Sequence, residues 1–298
     1  MKKIETLENQ LKDFKEQCFA GEEAKRISSI YNTVVSDTRL FVKNAGFKDV
    51  VLGLSGGIDS AVVACIAVDA LGNSHVHAII LPGPYTSQSS WADAKLLAKN
   101  LDIDLNTVFI DGSYQKVVET LTKSGIYNKV STNSDLTNQN IQARLRMIMI
   151  MAASNENSWM MLNTANKSEV YTGYSTLYGD MAGAFSPLGN VYKCDVFKMA
   201  VYKNLATQRK LNNDFEVVPQ SIVSRPPSAE LTSNQTDESS LGVDYPSLDA
   251  IISLHVDEGL KFEEIVSKGF SSSKVQKVIQ LIKKSEFKRR YEPPAALS

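Results

Sequence analysis

Residues 50–60 read Val-Val-Leu-Gly-Leu-Ser-Gly-Gly-Ile-Asp-Ser, and they are the most informative part of the chain. The apolar start predicts a buried strand, the small residues predict a tight turn, and the apolar segment 61–71 predicts a helix. Gly56 and Gly57 can adopt backbone angles that are closed to other residues, so consecutive N–H groups can face one concavity. A helix that starts near Asp59 adds the positive end of its dipole to that concavity. The sequence therefore predicts a phosphate-binding loop.

This loop differs from the Walker type of phosphate loop, which ends in Gly-Lys-Ser or Gly-Lys-Thr. Here no lysine is present, and Asp59 stands inside the loop, which suits a magnesium triphosphate whose pyrophosphate is the leaving group. The alternative is an ordinary strand-to-helix turn in which Asp59 or Ser60 caps the helix. We favour the phosphate site, because the full string from Ser55 to Ser60 follows a buried strand.

The string Ser-Gly-Gly-Ile-Asp-Ser resembles the PP-loop of the ATP pyrophosphatase families. Those enzymes cleave ATP between its α and β phosphates and place AMP on a carbonyl or carboxylate oxygen. The families include NAD synthetase, GMP synthetase, asparagine synthetase and tRNA-thiolating enzymes. The loop by itself does not distinguish among them, so the distinction depends on the rest of the chain.

The composition is that of an ordinary globular protein, with 298 residues, 43% hydrophobic and 22% charged. A formal net charge of −1 gives no basic field that would indicate a nucleic-acid partner. No apolar run approaches ~20 residues and the N-terminus has no apolar signal-peptide core, so we expect no membrane span and no secretion. The three cysteines are widely spaced and the three histidines form no ligand cluster. These features predict a cytoplasmic protein.

Apolar periodicity predicts strands and helices in alternation along most of the chain. Such alternation implies a parallel sheet, helices on both of its faces and right-handed crossovers. The predicted fold class is therefore α/β, a doubly wound parallel sheet with flanking helices. Ligands of such sheets bind at the carboxyl ends of the strands. The predicted strands are 48–54, 75–81, 105–110 and 158–163, and the helices between them are 59–71, 90–100, 114–124 and 138–154.

Both ends of the chain are predicted to be helical. Residues 1–25 carry an apolar stripe and are predicted as a helical extension of a domain that spans residues 26–298. A polar, proline-containing loop covers residues 211–247, and long loops of this kind usually carry function or disorder. The stripe consists of Ile4, Leu7, Leu11 and Phe14, and the further predicted helices are 24–42, 246–257, 261–268 and 272–284.

Polar side chains follow the fourth predicted strand. Thr164 stands at its carboxyl end, where a hydroxyl can meet a nucleotide. Glu169 could join Asp59 as a second carboxylate on a magnesium ion, although alone it would be taken for a solvated helix residue. Arg144 and Arg146 are two apart on a helix and therefore point to different faces. One can bind substrate while the other makes a structural ion pair, or both can be solvated.

Several motifs occur together in the order that is found in the NAD synthetase family, which the chain resembles over about residues 25–294. The resemblance implies an adenine nucleotide alpha hydrolase-like fold. It also implies a reaction in which ATP adenylates the nicotinate carboxylate of deamido-NAD, after which ammonia displaces AMP to give NAD. The motifs are Ser-Gly-Gly-Ile-Asp-Ser, Ala-Arg-Leu-Arg-Met, Asn-Lys-Ser-Glu, Tyr-Gly-Asp-Met-Ala-Gly, Tyr-Lys-Cys-Asp-Val-Phe, Arg-Pro-Pro-Ser-Ala-Glu-Leu and Phe-Lys-Arg-Arg.

The resemblance implies roles for individual residues. Leu177, Ala184 and Phe287 stand where many ammonia-dependent members have Lys, Asp and His, and in this they look like the synthetase domain of glutamine-dependent enzymes. Ser228 replaces a threonine and keeps its hydroxyl. The implied ATP-binding residues are Gly53, Leu54, Ser55, Gly56, Gly57, Ile58, Asp59, Ser60, Gln88, Thr164, Lys193 and Ser228, the implied magnesium ligands are Asp59 and Glu169, and the implied deamido-NAD residues are Arg144, Leu177, Ala184, Phe287 and Lys288.

The resemblance also implies a homodimer with substrate sites near the interface. Glutamine-dependent members carry an additional amidase domain, for which a synthetase-like region that starts by about residue 25 leaves no room. Cys18 lies in an amphipathic helical pattern, where packing is favoured over a nucleophilic role. We therefore expect free ammonia as the nitrogen donor, with a separate amidase subunit as an alternative. We also expect the loops 83–90 and 222–240 to close over the substrates, because water would hydrolyse an exposed adenylate.

Two rival functions share the same loop. A GMP synthetase or a tRNA-thiolating enzyme would use it, but the latter usually needs a cysteine pair or a basic face, and neither is visible. A nucleotide-binding sensor without chemistry would explain the loop but not Glu169, Lys193 and the Arg-Pro-Pro-Ser segment together. Pyrophosphate release from ATP that depends on deamido-NAD would separate these possibilities.

Overall fold

The computed structural model describes residues 5–17, 20–128, 134–232 and 236–297. Its sheet has four parallel strands in the spatial order β3-β2-β1-β4. In the central register, Val50 of β1 pairs with Val76 of β2 on one side and with Met160 of β4 on the other. The predicted parallel α/β sheet is thereby confirmed. The strands are β1 (Val50–Gly53), β2 (Val76–Ile80), β3 (Asp104–Thr107) and β4 (Met160–Met161).

Helices cover both faces of this sheet, as predicted. Alternate strand residues point to opposite sides. Val50 and Leu52 pack with helices α2, α3 and α8, whereas Val51 packs with Ile150 of helix α6. The helices are α1 (Leu7–Gln17), α2 (Glu22–Asn44), α3 (Ile58–Leu71), α4 (Gln88–Leu101), α5 (Asp111–Lys123), α6 (Ser134–Asn157), α7 (Lys167–Thr172), α8 (Lys193–Leu211), α9 (Gln220–Ser224), α10 (Asp237–Leu241), α11 (Tyr245–Ile252), α12 (Phe262–Ser267), α13 (Ser272–Lys284) and α14 (Glu286–Arg289).

The C-terminal helices form a second apolar cluster beside the sheet. Tyr245 and Leu248 of α11 are fully buried against Val275 and Val278 of α13. The predicted helix 246–257 is in fact α11 followed by a π-helical turn, Ser253–Asp257. This cluster backs α7 and the start of α8, and so it supports the polar residues that those two helices carry.

The structure differs from the sequence-based prediction mainly in the extent of the elements. Every strand is shorter than predicted. Helix α8 is absent from the prediction, since nearly every residue of its first three turns is buried and no polar face interrupts the apolar pattern. Ile4 and Cys18 lie outside the described residues. Within the described ranges, no helix has both the length and the apolar character that are needed to cross a bilayer.

Candidate active site

A cavity of about 280 Å³ opens at the carboxyl ends of β1 and β4. Residues 53–60 after β1 form its floor, and residues 162–165 after β4 form one side. Residues 225–231, which we call the strap, cross the opening, and side chains of α6 close the opposite wall. This is the edge at which parallel α/β sheets bind ligands.

The loop after β1 has the geometry of an anion site. Gly56 has φ +81°, and a Cβ there would overlap the carbonyl oxygen of Ser90 on α4. Gly57, by contrast, is extended at φ −89° and is the N-cap of α3. Only Gly56 therefore uses the left-handed region, and the helix begins earlier than the Asp59 or Ser60 cap considered from sequence. Because Gly57 has no side chain to cap α3, the first N–H groups of that helix remain available to an anion.

Two hydroxyls hold the loop in shape. Ser60 Oγ accepts a hydrogen bond from the Ser55 N–H at 3.2 Å and donates to the Gly57 carbonyl at 3.1 Å. Ser55 Oγ accepts from the Gly57 N–H at 3.1 Å. These short-range bonds fix the concavity without help from a ligand.

Two carboxylates converge on one buried ammonium beside the loop. Lys193 Nζ lies 2.6 Å from Asp59 Oδ2 and 3.1 Å from Glu169 Oε1, although only 1% of Lys193 is exposed. Glu169 is held by a capping box at the start of α7, in which Asn166 is the N-cap. Asn166 Nδ2 also donates to Asp59 Oδ1 at 2.8 Å, so it ties α7 to the phosphate loop.

This cluster combines three carboxyl groups with one ammonium. Burial raises the pKa of Glu169 to about 8, with Lys193 opposing and Asp59 and Asp237 reinforcing the effect. Burial also raises the pKa of Asp237, with Lys193 again opposing. Burial disfavours the Lys193 cation, but the attraction of Asp59 and Glu169 outweighs it and raises the lysine pKa. A further cation bound beside these acids would favour their ionised forms.

The oxygen donors fit magnesium if a ligand supplies the rest. Among the described residues, no group of three or more His, Cys, Asp or Glu side chains could hold a metal ion unaided. Magnesium in nucleotide sites is usually bound by one or two carboxylates together with phosphate oxygens. Asp59 and Glu169 supply that number of carboxylates at the mouth of the anion loop.

The strap is fastened to the start of α4. Glu230 Oε1 accepts from Ser87 Oγ at 2.9 Å and from Ser90 Oγ at 2.7 Å, and its Oε2 accepts from the Ser87 N–H at 3.2 Å. Arg225 pairs with Asp93 and donates to Ser90 Oγ at 2.6 Å. The loops 83–90 and 222–240, which we predicted to close over the substrates, are thus joined directly through this carboxylate.

The structure brings most of the predicted nucleotide residues together. Gln88 is the exception, because it is exposed at the first turn of α4 and the cavity wall there is made by Thr86 and Ser90 instead. The predicted residues that line the cavity are Gly53, Leu54, Ser55, Gly56, Gly57, Ile58, Asp59, Ser60, Thr164, Glu169, Lys193 and Ser228.

The predicted acceptor residues lie outside the cavity, around one loop. Arg144 Nε donates to the Leu177 carbonyl at 3.1 Å. Lys288 Nζ donates to the carbonyls of Gly173 and Ser175 at 2.8 and 2.5 Å. Ala184 and Phe287 are exposed. Neither arginine of the pair on α6 forms the structural ion pair that was one of the alternatives, as far as the described residues extend.

Three residues that line or support the cavity were given no role from sequence. Glu230 and Asp180 belong to recognised motifs, but their spacing does not indicate that one fastens a strap and the other lines the cavity. Asn166 had a detectable signal, since Asn followed three residues later by Glu is a capping-box pattern. Its second bond, to Asp59, could not be foreseen because it joins residues 107 positions apart.

A parallel sheet whose first strand leads into a Ser-Gly-Gly-Ile-Asp-Ser anion loop, without the lysine of the Walker loop, has the arrangement of the PP-loop class of nucleotide-binding proteins. Residues 30–292 match the sequence model of the family described as NAD synthase. The chain belongs to that family.

The names of individual proteins that are similar to this chain agree with the family assignment. A glutamine-dependent NAD(+) synthetase of Thermotoga maritima is 42% identical over 265 residues, which are 89% of this chain and 44% of that protein. The chain thus spans less than half the length of this relative. Two solved structures are similar over 88% of this chain and 95% of theirs: NMN synthetase from Francisella tularensis, with TM-score 0.70 and 28% identity, and an NH3-dependent NAD synthetase from Campylobacter jejuni, with TM-score 0.66 and 25% identity.

Proposed function

We propose that this chain catalyses the ATP-dependent amidation of deamido-NAD to NAD, with AMP and pyrophosphate as the other products. The observation that carries the proposal is the pair Asp59 and Glu169 at the mouth of the Gly56 loop, in a chain of the NAD synthase family. The loop suits a departing pyrophosphate, and the carboxylates suit the metal that accompanies it.

The first step joins two anions, so charge neutralisation is the main task of the protein. A carboxylate oxygen of the acceptor forms a bond to the α-phosphorus of ATP, and the bond from that phosphorus to the bridging oxygen of the β-phosphate breaks. The Gly56 backbone and the first N–H groups of α3 hold the leaving pyrophosphate. Magnesium, held by Asp59 and Glu169, would supply charge neutralisation on the phosphates. Lys193 holds both carboxyl groups in position and opposes the effect of burial on the pKa of Glu169.

The second step needs a nitrogen nucleophile at the same site. Ammonia attacks the carbonyl carbon of the adenylate, the bond from that carbon to the AMP oxygen breaks, and one proton is released. Neither cysteine of the described residues is suited to release ammonia from glutamine, because both are buried. Burial raises the pKa of the Cys65 thiol to about 12, and it also raises that of Cys194.

We propose free ammonia as the direct donor for this chain. The likeness to the NH3-dependent NAD synthetase of Campylobacter jejuni supports this choice, whereas the Thermotoga maritima relative is named for glutamine. The test supplies ATP, magnesium and deamido-NAD with either ammonium chloride or glutamine, and it follows NAD, AMP and pyrophosphate by chromatography. We expect NAD from ammonium, with a rate that rises as pH increases and NH₃ replaces NH₄⁺. Efficient synthesis from glutamine by the purified chain would reject free ammonia as the donor.

A second candidate acceptor is nicotinate mononucleotide. The NMN synthetase relative has the same fold at 28% identity and supports the same chemistry on a smaller acceptor. The exposed positions of Ala184 and Phe287 leave the acceptor end of the site open to either choice. Pyrophosphate release with each acceptor, compared as kcat/KM, decides between them, and release without any acceptor would favour a simple ATPase over both.

A further inference from the structure

Arg146 on α6 presents a cation to the cavity without a carboxylate partner. Its Nε donates to the Leu81 carbonyl at 3.0 Å, just after β2, and its side chain lines the cavity. A Cβ at Gly83 would stand 2.8 Å from Nη2, so the absence of a side chain there makes room for the guanidinium. Within the part of the chain that the structure describes, no ion pair engages Arg146.

The two acids that act most strongly on Arg146 are committed elsewhere. Glu230 binds the two serines of α4, and Asp180 Oδ1 accepts the Thr176 N–H at 2.5 Å. Burial lowers the pKa of Arg146 to about 10, with Glu230, Asp180 and Asp111 only partly offsetting it. The side chain remains charged at neutral pH. A cation in such surroundings is stabilised by an anion that enters the cavity.

Arg146 lies between the phosphate loop and the end of β2. One helical turn further along α6, Ile150 Cδ1 comes within 3.0 Å of the Cβ position of Gly53. Side chains at i and i+4 share a helix face, so Arg146 and Ile150 line the same wall. That wall begins at the loop and ends at Leu81.

We propose that Arg146 binds the α-phosphoryl group of the nucleotide and neutralises it during transfer. The proposal rests on the proposed function, in which the Gly56 loop holds the β- and γ-phosphates as the leaving group. The phosphate next to the nucleoside is then the one that lies between the loop and the apolar wall of Ile80, Leu81 and Ile150. A guanidinium fork suits two oxygens of one phosphate, and its charge also favours the approach of the acceptor carboxylate to the same phosphorus.

The test measures binding of AMP and of adenosine by calorimetry, without magnesium and without an acceptor. Arg146→Met keeps the length of the side chain and removes the charge, and we expect it to weaken AMP binding about 10- to 100-fold while adenosine binding is unchanged. Arg146→Lys keeps the charge without the fork, and we expect an intermediate loss of AMP affinity. Arg39→Met is the control, because Arg39 donates to the carbonyls of Asp69 and Ala70, away from the cavity. This variant should bind AMP normally.

Unchanged AMP affinity in Arg146→Met would overturn the proposal, and so would an equal loss for AMP and adenosine, since that pattern indicates altered packing. If Arg146→Met does not fold, the same binding assay on Arg146→Lys tests the proposal. A contact between Arg146 and the phosphate predicts that this variant loses affinity for AMP but not for adenosine. The proposed function is tested separately by NAD formation. If the parent protein forms no NAD but Arg146→Met still loses affinity selectively for AMP, the contact between Arg146 and the phosphate is supported and deamido-NAD is rejected as the acceptor.

Discussion

Lys193 is the residue on which the chemistry of the site depends most closely. Its ammonium is buried and lies between Asp59 and Glu169, so it orients both carboxylates at once. The sequence-based interpretation gave Lys193 to the phosphates directly. The contacts instead indicate that it acts on phosphate through the two acids, which it orients at the mouth of the loop.

We expect Asp59→Asn to lower the rate of adenylation by about two orders of magnitude while the fold persists. Lys193 keeps Glu169 as a partner, and Asn166 keeps an acceptor at position 59, so stability changes little. Deamido-NAD-dependent pyrophosphate release and a magnesium titration measure the effect, and half-saturation should move to higher magnesium.

The control for this variant is Asp69→Asn on the same helix. Asp69 pairs with Lys203 at 2.7 Å and accepts from Tyr31 Oη at 2.7 Å, away from the cavity. It should lose thermal stability and keep its catalytic rate. Near-normal pyrophosphate release in Asp59→Asn would show that Asp59 is not required as a magnesium ligand.

We expect Gly56→Ala to disable nucleotide binding and to lower the free energy of unfolding by about 1–3 kcal/mol. The left-handed φ disfavours a side chain, and the new methyl group would overlap the Ser90 carbonyl. Gly112→Ala is a matched control, because no atom lies within 4 Å of the added Cβ near the start of α5, and it should be as stable as the parent or more so. Thermal melts with and without ATP compare the two, and equal ATP-induced stabilisation would contradict the role of Gly56.

At the scale of elements, the strap is fastened to the start of α4, and we expect the two to close over the substrates together. Glu230 has φ +47°, an uncommon conformation for a residue with a side chain, and its carboxylate makes three bonds to the start of α4. We expect Glu230→Ala to release the strap, so that water reaches the adenylate and AMP forms in excess over NAD. The ratio of AMP to NAD measures this leak, which should stay near one in the parent.

Glu119→Ala serves as the control for the strap, since Glu119 makes only surface pairs with Lys116 and Lys123 on α5. Its ratio of AMP to NAD should match that of the parent. A ratio of one in Glu230→Ala would show that closure does not depend on this carboxylate.

An ion network joins α2 to α8, and we expect it to make the free energy of unfolding depend on pH. The hydrogen bond from Arg26, assisted by Lys198, lowers the pKa of Glu23 to about 2 despite partial burial. An acid whose pKa is lower in the folded than in the unfolded state stabilises the fold at pH values above the unfolded-state pKa. This contribution is lost as pH falls from about 5 to 2. We expect Glu23→Gln to flatten the decline of unfolding free energy in that window, as measured by urea melts at several pH values.

Glu22→Gln is the neighbouring control for the network. The Glu22 side chain is 90% exposed and pairs only with Lys25, so the substitution should leave the acid decline unchanged. Identical curves for Glu23→Gln and the parent would show that the network adds nothing below pH 5.

The sequence is informative where local pattern and local structure agree. The strand-loop-helix from Val50 to Leu71 was predicted within one or two residues, because the apolar strand, the glycines and the apolar helix are contiguous. Helix α8 was missed, since a helix buried on most sides has no polar stripe to reveal its period. The bonds from Glu230 to Ser87 and from Asn166 to Asp59 were beyond reach, because each joins residues more than 100 positions apart.

At the scale of the whole molecule, we propose that the chain forms a homodimer through the surface around Leu177. Ile148 is 51% exposed one helical turn after Arg144, and exposed Tyr178 packs edge-on against exposed Tyr291. Phe287 adds a further exposed ring. A group of exposed apolar side chains such as this one is often covered by a partner. Here the group lies beside predicted acceptor residues.

We expect light scattering to return twice the chain mass of 32.8 kDa at micromolar protein. Ile148→Asp should shift this equilibrium toward the monomer by at least about tenfold, because a charge would be buried in an apolar contact. Leu40→Asp changes an equally exposed leucine on α2 and should leave the mass unchanged. A monomer at micromolar concentration would reject the dimer.

The separation of the phosphate residues from the acceptor residues has an evolutionary consequence. In the proposed function the nucleotide is activated inside the cavity that α6 and the strap enclose, whereas the predicted acceptor residues lie outside it, around a loop and the last helix. Mutations around Leu177 and Ala184 can therefore accumulate without disturbing Gly56, Asp59 or Lys193. A lineage built on this scaffold can exchange one nicotinate-bearing acceptor for another while it inherits the same activation step, as the likeness to an NMN synthetase suggests.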